Sequence, residues 1–522
     1  MTLTAAERGY LKNASVRECR VKFWLFDDLG VNFSTAFPTV DTDITATTFP
    51  TMLISPPHSL VKPGESVVLY AGDSYRELSG SAVTSWTWSV VSGSAIITPA
   101  GSSCTVMPTG GEDSVVVVRC ASTNDDGTGQ RDARVACSTN GWAKPAGRVD
   151  IRGGYSARGW SGSVEVAGDS ATGLAQGKFL LIHIETVYDG LEYTIGGYKR
   201  ANNLCLLMVK DWTYSDGPDG HKICHINLIS PADYLNGFFF YMLDPNISNQ
   251  ERPLLFTVDN YYLSGNTPIY YHTTPSPARS TSYMARTSPV TQYFNVTIWD
   301  DVTPASVIQA MSVDLGPAFD MLRSPVESIL GVAFCDFAGS LNFIPHPAVR
   351  ADEWWGTPDP IWDSTNPLTT DYCNRSITYY PGYHESGQAW DGLILAGYVD
   401  DANLWAYPYN VAAGTITAGR LVNRDYSGYL LDDAGGGATS AIWANDLLAL
   451  VNRTWDVDAT FFGLGNTLNV GSFVYVDLDP EQEGQPVVGG LAYIDEIGHQ
   501  IDIERRMQTT QAHMVQLTGS LT

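Results

Sequence analysis

Basic residues are scarce in this sequence. Among 522 residues, 30 Lys and Arg stand against 56 Asp and Glu, which gives a formal net charge of −26, and charged residues make up only 16%. A surface this acidic repels nucleic acid and anionic membranes, so the composition argues against specific binding of DNA or RNA. The low content of Glu, Lys and Arg also disfavours long surface helices, which are usually built from these residues.

Long apolar runs are missing too. The most apolar stretch, Gly237 to Leu243, is far shorter than the roughly 18 to 20 residues that a membrane-spanning helix needs. The first 13 residues alternate charged and apolar side chains and lack the apolar centre of a signal peptide. We therefore expect no membrane segment and no export by the classical secretory route.

The eight cysteines form no CxxC pair and no tight disulfide pattern. The state we expect is buried, reduced thiols in a protein made in a cytoplasm. Cys104 and Cys120 are the one pair whose positions, on two strands expected to be neighbours, would allow a disulfide.

Glycine and aromatic residues are abundant, with 49 Gly, 27 Tyr and 14 Trp. Together with turn-bounded runs of β-branched residues, they predict a mainly β, multidomain chain with a smaller α/β part. At about 150 residues per domain, the length accommodates roughly three or four domains. The expected segments are an N-terminal β segment at 1–53, a β-sandwich at 54–138, a β-rich region at 139–300, an α/β domain at 301–365, a β-rich connection at 366–439, and a helix with a C-terminal barrel at 440–522.

The segment 54–138 has the pattern of a β-sandwich. Val61 to Leu69 is a Pro-Gly turn followed by β-branched residues, Ser85 to Val90 places two tryptophans on one strand face, and Ser114 to Cys120 is another strand. Short strands at a spacing of about 8–12 residues around a central Trp are typical of sandwiches. The segment resembles bacterial immunoglobulin-like or PKD-like modules, a resemblance that implies a fold and says little about function.

Three stretches carry helix signals. The pairs Thr303-Pro304 and Ser324-Pro325 each place a hydroxyl residue before a proline, as at a helix N-cap. Ser440 to Arg453 has an apolar stripe at helical spacing. The run from Val332 to Ile344 contains an Asp-Phe-Ala-Gly turn between two apolar segments and predicts a β-hairpin.

Sequence motifs for catalysis or cofactor binding are absent: the chain has no GxSxG, HExxH, Walker A or GxGxxG pattern and no EF-hand loop. Four groups of polar residues have both a functional and a structural interpretation. They are His221, Cys224 and His225 with Asp219, for zinc; Asp352, Glu353, Trp354 and Trp355 with Asp359 and Asp363, for sugar; Asp477, Asp479, Glu481 and Glu483, for calcium; and Asp495 with Glu496, for acid–base chemistry.

The structural interpretation is favoured in each case. Cys224 and His225 point to opposite faces if they lie on a strand, and no fourth ligand is local. The second group fits a Pro-rich loop that packs its tryptophans, and the third fits a turn framed by proline and glycine. Asp495 and Glu496 should point to opposite faces of a strand and make a poor acid–base pair. We therefore expect no catalytic, cofactor-binding or metal-binding residues and no enzyme activity.

Several patterns follow one another along residues 300–522. In addition to the helix signals, they are TPASVI at 303–308, FCDFAGSLNFIP at 334–345, LNVGSFVYV at 468–476 and YIDEIGHQID at 493–502. In order and spacing they resemble the tail hub proteins of tailed bacteriophages and of related contractile injection systems. Ser472 stands where that family usually has Asp.

The resemblance implies structural work rather than catalysis. Hub proteins form a trimeric ring at the end of the tail tube, where two barrel domains per chain make a pseudo-hexamer that adapts a six-fold tube to a three-fold tip. The implied partners are two further copies of the chain, the tail tube or distal tail protein, the tape measure protein, and a tip spike or fibres, with DNA only in transit. The implied location is the virion tail, after assembly in the host cytoplasm.

Within this scheme, 139–300 together with the N-terminal segment would supply the first hub barrel and 440–522 the second, with the immunoglobulin-like module as an insertion. The alternative is a carbohydrate-binding or carbohydrate-active β-rich protein. The aromatic segments 354–362 and 379–383 motivate it, because aromatic rings stack on sugars. A surface-layer or adhesion protein is a third hypothesis, and the lack of a signal peptide argues against both.

Overall fold

The computed structural model describes the chain in segments. They are residues 16–27, 52–73, 83–125, 127–155, 159–189, 198–217, 220–237, 239–240, 261–264, 267–270, 296–298, 316–317, 319–320, 323, 331–345, 362–380, 392–400, 406–414, 421–430, 448, 452–462, 468–479 and 487–517. Within them the protein is mainly β, as the composition predicts. The helices expected at 303–311 and 324–330, and most of the one at 440–453, lie outside the described residues. No described helix is long and apolar enough to cross a membrane.

The strands of the described segments are numbered in chain order. They are β1 (Val16–Phe26), β2 (Met52–Ser55), β3 (His58–Val61), β4 (Val67–Asp73), β5 (Ser85–Ser92), β6 (Ala95–Ala100), β7 (Ser103–Pro108), β8 (Ser114–Asn124), β9 (Gly127–Cys137), β10 (Pro145–Gly154), β11 (Gly159–Ala167), β12 (Phe179–Asp189), β13 (Tyr198–Asp216), β14 (Lys222–Ile229), β15 (Phe239–Phe240), β16 (Tyr261–Ser264), β17 (Thr267–Tyr270), β18 (Val296–Ile298), β19 (Gly316–Pro317), β20 (Gly331–Cys335), β21 (Leu341–Pro345), β22 (Leu368–Thr369), β23 (Cys373–Tyr380), β24 (Gly392–Asp400), β25 (Ala406–Gly414), β26 (Leu421–Leu430), β27 (Asp456–Phe462), β28 (Phe473–Leu478), β29 (Val488–Asp502) and β30 (Met507–Gln516). A short helix α1 (Pro231–Leu235) follows β14, and a 3₁₀ turn (Thr370–Tyr372) connects β22 to β23.

Strands β2 to β9 form a two-sheet β-sandwich. One sheet has the order β2-β4-β7-β6 and the other β3-β9-β8-β5. Their inward side chains share one core, to which Leu69 and Cys104 contribute from the first sheet and Trp88 and Cys120 from the second. Trp88 Nε1 donates a hydrogen bond to the carbonyl of Gly101 at 3.0 Å, which satisfies the one polar atom of this buried ring. The assignment of the sandwich as immunoglobulin-like stays a prediction.

All eight cysteines are free thiols, and all except Cys373 are buried. Cys104 and Cys120 lie on different sheets of the sandwich rather than on neighbouring strands, and both are free thiols, so the disulfide considered from the sequence is not formed. Burial raises the pKa of Cys120 to about 12 and holds the group as an uncharged thiol.

The sandwich is anchored to the neighbouring sheet by apolar and ionic contacts. The ring of His58 lies between Phe26 and Phe179, with centroid distances of 4.7 Å and 5.1 Å. Lys62 Nζ lies 2.7 Å from Glu185 Oε1, and both side chains are partly buried. Because β12 supplies both Phe179 and Glu185, the sandwich rests on the strand that pairs with β1.

A single twelve-stranded sheet contains most of the remaining described strands. Its order is β1-β12-β13-β14-β11-β10-β29-β30-β27-β23, and β28 pairs with β29 and carries β22. β10 and β29 pair antiparallel from Arg148↔Asp502 to Gly154↔Glu496. This pairing joins an N-terminal half (β1 and β10 to β14) to a C-terminal half (β22, β23 and β27 to β30). One hydrophobic cluster runs through both halves.

The two halves have the same strand order. When the six strands of each half are numbered in chain order, both sheets have the order 1-4-5-6-3-2. The neighbours 4-5, 5-6, 6-3 and 3-2 are antiparallel in both halves. The 1-4 neighbours differ, because β1 and β12 are antiparallel whereas β22 and β28 are parallel. The chain therefore contains one structural unit twice.

The repeat extends to single hydrogen bonds. The N–H of Gly177 donates to the carbonyl of Val209, and the N–H of Gly471 donates to that of Ile494. In both halves the acceptor residue donates back to the residue that follows the glycine. The two glycines have φ angles of 81° and 78°, a left-handed conformation that favours glycine.

A matching sequence pattern accompanies this bridge. Leu174 to Ile182 has the sequence LAQGKFLLI, and Leu468 to Val476 has LNVGSFVYV, so both contain Leu-x-x-Gly-x-Phe. Immediately after the bridge, the fifth strand of each half carries a β-bulge whose extra residue is Lys210 in β13 and Asp495 in β29. Because a bulge changes the register by one residue, its recurrence at this place fixes the alignment of the halves.

A second bulge also recurs. It lies between Pro145 and Val149 in β10, and between Cys373 and Ile377 in β23, which are the second strands of their halves. Next to this bulge, Asp150 pairs with Ser163 in the N-terminal half and Thr378 pairs with Asp458 in the C-terminal half. The alignment that superposes the first bulge of each half therefore also superposes the second. β23 is therefore the counterpart of β10, and β29 is the counterpart of β13.

This alignment corrects one expected boundary. β22 and β23 come from the segment 366–439, yet they pair with β28 and β27 and complete the C-terminal half. A C-terminal barrel that begins at 440 is therefore too short by two strands. β24, β25 and β26 from the same segment form a separate three-stranded sheet.

The predicted hairpin at 332–344 is confirmed as β20 and β21. Asp336 closes its turn, since the carboxylate accepts the N–H groups of Ala338 and Ser340 at 2.9 Å each and the side-chain amide of Asn342 at 3.2 Å. Gly339 takes a φ of 79°, which explains its place in the pattern. Burial raises the pKa of Asp336 to about 6 although these three donors oppose the shift.

A test of the packing at the junction of the halves uses Gly153. Trp160 lies directly opposite it, and a Cβ on Gly153 would come within 2.6 Å of the indole Cδ2. Trp160 is buried and stacks on His499 at 5.8 Å between ring centroids. We expect Gly153→Ala to lower the free energy of unfolding by about 1–3 kcal/mol, measured by chemical denaturation with tryptophan fluorescence.

The matched control is Gly489→Ala, whose added Cβ would find its nearest neighbour at 4.0 Å. It should change the free energy of unfolding by less than about 0.5 kcal/mol. Equal losses in the two variants would contradict the tight contact between Gly153 and Trp160.

Candidate functional site

Of the residues considered for zinc, His221, Cys224 and His225 are described, and Asp219 lies outside the described residues. β14 places Cys224 in the core and His225 on the outer face, as predicted. His225 Nδ1 lies 3.1 Å from Glu165 Oε1, and its Nε2 lies 2.6 Å from Ser215 Oγ. Within the described part of the chain, no group of three or more His, Cys, Asp or Glu residues is arranged to hold a metal ion.

The aromatic and acidic groups considered for sugar and calcium fall partly outside the described residues. This holds for 352–359 and, in the stretch 477–483, for positions 481 and 483. Trp362 is buried and meets Tyr372 edge-on at 4.9 Å, so its ring belongs to the core and offers no face to a sugar. Asp363 accepts two N–H groups from the residues that follow it and closes a turn.

The expectation that Asp495 and Glu496 point to opposite faces is wrong, because β29 is bulged at this point. Ile494 pairs with the core residue Met514 and Glu496 pairs with His513, which leaves Asp495 as the extra residue. Both carboxylates therefore lie on the outer face beside His513. Asp495 Oδ1 is 3.9 Å from His513 Nε2.

The bulge lies in an open cleft of about 630 Å³ on the outer face of the C-terminal half. Paired residues of neighbouring strands have their side chains on the same face, so rows of register partners form its floor. One row consists of Thr378, Asp458, His513 and Glu496. The next row consists of Thr460, Gln511, Gly498 and Arg152, and Tyr380 stands at the end of the cleft.

His513 lies at the centre of the cleft, where its neighbours favour the protonated ring. Its Nδ1 lies 2.7 Å from Asp458 Oδ1, and Tyr380 donates its hydroxyl to Asp458 Oδ2 at 2.7 Å. Burial alone would lower the pKa of His513, but the hydrogen bond to Asp458 and the charges of Asp495, Asp458 and Asp456 outweigh it and raise the pKa. Burial would likewise raise the pKa of Asp458, and the hydrogen bonds from His513 and Tyr380 reverse this and lower it.

Asp495 has the opposite balance. Burial raises its pKa to about 6, and the nearby charges of Asp456 and Glu496 add to this while His513 opposes it. Its Oδ1 is shielded from solvent and accepts no hydrogen bond from the described residues. The cleft thus combines a hydrogen-bonded pair, Asp458 with His513, and a carboxyl group, Asp495, whose pKa burial raises to about 6.

The cluster brings one histidine together with several carboxylates. Both nitrogens of His513 face carboxylates, which favours the imidazolium and makes the ring a poor general base. The arrangement suits the binding of a proton, a cation or a hydrogen-bond donor.

The cluster belongs to the C-terminal half alone. In the N-terminal half, the counterparts of Asp458, His513, Asp495 and Glu496 are Ser163, Asn227, Lys210 and Asp211. There Asn227 donates its side-chain amide to Asp211 at 2.6 Å. The two halves therefore share a backbone frame and differ in the side chains that the frame presents.

Sequence reasoning did not find Asp458, His513 or Tyr380. Asp458 and His513 stand at alternate polar positions of ordinary half-exposed strands, and nothing local distinguishes them from other surface residues. The available signal was the polarity of the outward positions in four strands that pair with one another. That pairing joins residues far apart in the chain, so no single segment of the sequence reveals it.

The chain matches no protein-family model and no curated protein sequence. Among solved structures it is similar to the tail protein from Neisseria meningitidis MC58, with 10% identity over 74% of this chain and 94% of that chain and a TM-score of 0.42. It is also similar to the 43 kDa tail protein of prophage MuSo2 from Shewanella oneidensis, with 11% identity over 78% and 99% and a TM-score of 0.42. The Francisella PdpA-VgrG complex matches with 11% identity over 72% and 54% and a TM-score of 0.37. All three TM-scores lie below 0.5, so these similarities carry no functional conclusion by themselves.

The raised pKa of Asp495 has a measurable consequence for stability. An unfolded Asp ionises near pH 4 and this one near pH 6, so its ionisation opposes folding as pH rises through this window. Asp495→Asn removes the penalty. We expect the difference in melting temperature between the variant and the wild type to grow in favour of the variant from about pH 4.5 to about pH 7.5. The growth corresponds to roughly 1 kcal/mol in the free energy of unfolding, a value reduced for the partial exposure of the side chain.

Asp477→Asn, on the exposed side of β28, is the control for removing one acidic side chain from an outward position of the same half. Differential scanning calorimetry at several pH values makes the comparison. A constant or falling difference for Asp495→Asn would show that the pKa of this carboxyl group is not raised in the folded protein.

Proposed function

We propose that the protein is a structural subunit of a phage tail tip or baseplate hub, in which three chains form a ring that joins the tail tube to the tip or spike. The observation that carries this proposal is the internal repeat: one chain contributes two copies of a six-stranded unit to a continuous sheet. Three such chains place six similar units around one axis. A ring of this kind meets a six-fold partner while it keeps the three-fold symmetry of its subunits.

The sequence patterns that resemble the hub family have structural roles consistent with this proposal. The pattern at 334–345 forms the hairpin closed by Asp336. The pattern at 468–476 supplies the glycine bridge and β28, and that at 493–502 forms the part of β29 that joins the two halves. The pattern at 303–308 lies outside the described residues. Each described pattern thus belongs to the frame of the repeat or its hairpin and not to a catalytic site.

The proposed partners follow from this place in a tail: the tail tube or distal tail protein, the tape measure protein, and a spike or fibres. Three chains would carry three times the formal charge of −26. An acidic channel repels the phosphate backbone and lets DNA pass without adhering to the wall. The protein is proposed to act as a part of the virion tail without catalysis.

Absolute mass in solution tests the ring. Light scattering over a range of concentrations should give about three times the chain mass of 56.8 kDa, and negative-stain images of the same sample should show a three-fold ring with an open centre. A compact monomer at every concentration, which also fails to close a ring on added tail tubes, would contradict the proposal.

A carbohydrate-binding protein is the second candidate, favoured by the polar cleft. Tyr380, Arg152 and Gln511 line it, and aromatic and planar polar side chains are suited to sugars. If this is the function, Tyr380→Ala or Trp354→Ala lowers affinity for a specific polysaccharide at least about tenfold in calorimetry. A hub subunit should bind none of the polysaccharides of its host with specific affinity, and both variants should then differ from the wild type only in stability or assembly.

A further inference from the structure

The two halves of one chain are joined by the pairing of two particular strands. The second strand of the N-terminal half, β10, pairs antiparallel with the part of β29 that follows the bulge, and β29 is the fifth strand of the C-terminal half. The rest of β29 is occupied by β28. The joint between halves is therefore strand 2 of one unit against the free end of strand 5 of the next.

Among the described strands, the repeat leaves one copy of each of these two surfaces without a partner strand. The counterpart of β10 is β23, which ends the sheet and pairs only with β27 among the described strands. The counterpart of the free end of β29 is Asp211–Asp216 of β13. There β14 occupies one side, while the pairing with β12 on the other side has ended at Met208 and the backbone bridge at Val209.

The side chains at the free end of β13 are exposed to solvent. Thr213, Tyr214, Ser215 and Asp216 are all exposed, and Tyr214 keeps 50% of its surface. The counterpart of Tyr214 is His499, which is only 1% exposed and stacks on Trp160 of the adjoining half. A sheet edge presents backbone N–H and C=O groups with which a strand of another chain can pair.

β23 also has the shape that the joint needs. It carries the same bulge as β10, at the same distance from the residues that pair with the third strand. The edge that β10 presents to β29 is therefore reproduced by β23. Both sides of a second joint are thus present on one chain, at the two positions where the internal joint is repeated.

We propose that neighbouring copies of the chain join by β-sheet pairing, with β23 of one copy added to the edge Asp211–Asp216 of the next. The proposal deepens the proposed ring and rests on it for the number of copies. In the internal joint, Arg152 pairs with Gly498 and Asp150 with Gln500. Transferred through the repeat, these pairs become Tyr380 opposite Thr213, and Thr378 opposite Ser215, of the next copy.

This contact is heterologous, since two different surfaces meet. Repeated from copy to copy, it generates either a closed ring or an open filament, depending on the rotation at each joint. The internal joint and the joint between copies have the same strand pairing, so each adds a similar rotation. Three copies and three internal joints then give a sheet that returns to its start after six units.

Cysteine pairs test the register directly. Ser215→Cys and Thr378→Cys are made on separate chains, each with Cys373→Ser to remove the half-buried thiol on β23. Under mild oxidation, the mixed variants should give a disulfide-linked product of two chains, at least about tenfold more abundant than either variant gives alone, because facing residues of paired strands lie within disulfide reach.

The matched control pairs Thr378→Cys with Asp211→Cys, which lies on the same edge but four residues away, roughly 13 Å along the strand. It should crosslink at least about tenfold less, because disulfide formation needs Cα atoms within about 7 Å. Equal yields from the two mixtures would overturn the proposed register, and an absence of product from chains that form a ring would overturn the joint.

A second variant tests the joint without cysteines. Tyr214→Glu adds a charge where the free chain is exposed and where the joint buries the side chain, so folding should be kept and association weakened at least about tenfold. Val91→Glu, at an equally exposed apolar position on the sandwich, is the control and should associate like the wild type. Unchanged association of Tyr214→Glu, with both variants melting at the wild-type temperature, would overturn the joint.

The outcomes separate this inference from the proposed function. A three-chain mass without the crosslink between positions 215 and 378 leaves the ring and rejects the joint. The crosslink in a filament or in an open chain of copies supports the joint and rejects the closed ring. A monomer that yields no crosslink rejects both.

Discussion

The antiparallel pairing of β10 with β29 is the interaction on which the rest of the fold depends. It converts two six-stranded halves into one sheet and brings their apolar faces into one continuous core. Trp160 on the N-terminal half reaches His499 on the C-terminal half across this joint, and Gly153 leaves the space that the indole occupies. The same pairing brings Arg152 to the edge of the cleft, although every other described residue that lines the cleft belongs to the C-terminal half.

Some features occur in both halves because the backbone of the repeated unit requires them, and others occur in one half only. Two bulges, a glycine bridge and a Leu-x-x-Gly-x-Phe pattern recur because the frame needs them. The charged cluster around His513 does not recur, since the N-terminal half has Asn227 and Ser163 at the corresponding places. A duplicated frame of this kind can change its surface chemistry at low cost, because outward side chains of a strand make few core contacts.

Local patterns predicted the mainly β content, the hairpin around Asp336 and the opposite orientations of Cys224 and His225, because each depends on neighbours within a few residues. They failed at Asp495 and Glu496, where simple alternation contains no bulge. The cleft and the repeat were not predicted from the sequence, for a related reason. Leu174 to Phe179 and Leu468 to Phe473 share only three residues, and their equivalence becomes visible once each strand has its partners.

The sandwich is inserted between the first and second strands of the N-terminal half, whereas a short 3₁₀ turn makes the same connection in the C-terminal half. Two contacts attach this insertion to the twelve-stranded sheet: the ring of His58 between Phe26 and Phe179, and the ion pair of Lys62 with Glu185. In a ring of three chains, a wall with six repeated units would therefore carry three projecting modules, one on every other unit. A ligand with three arms at the same spacing would meet three modules at once, and avidity would then make even a weak contact of each module durable.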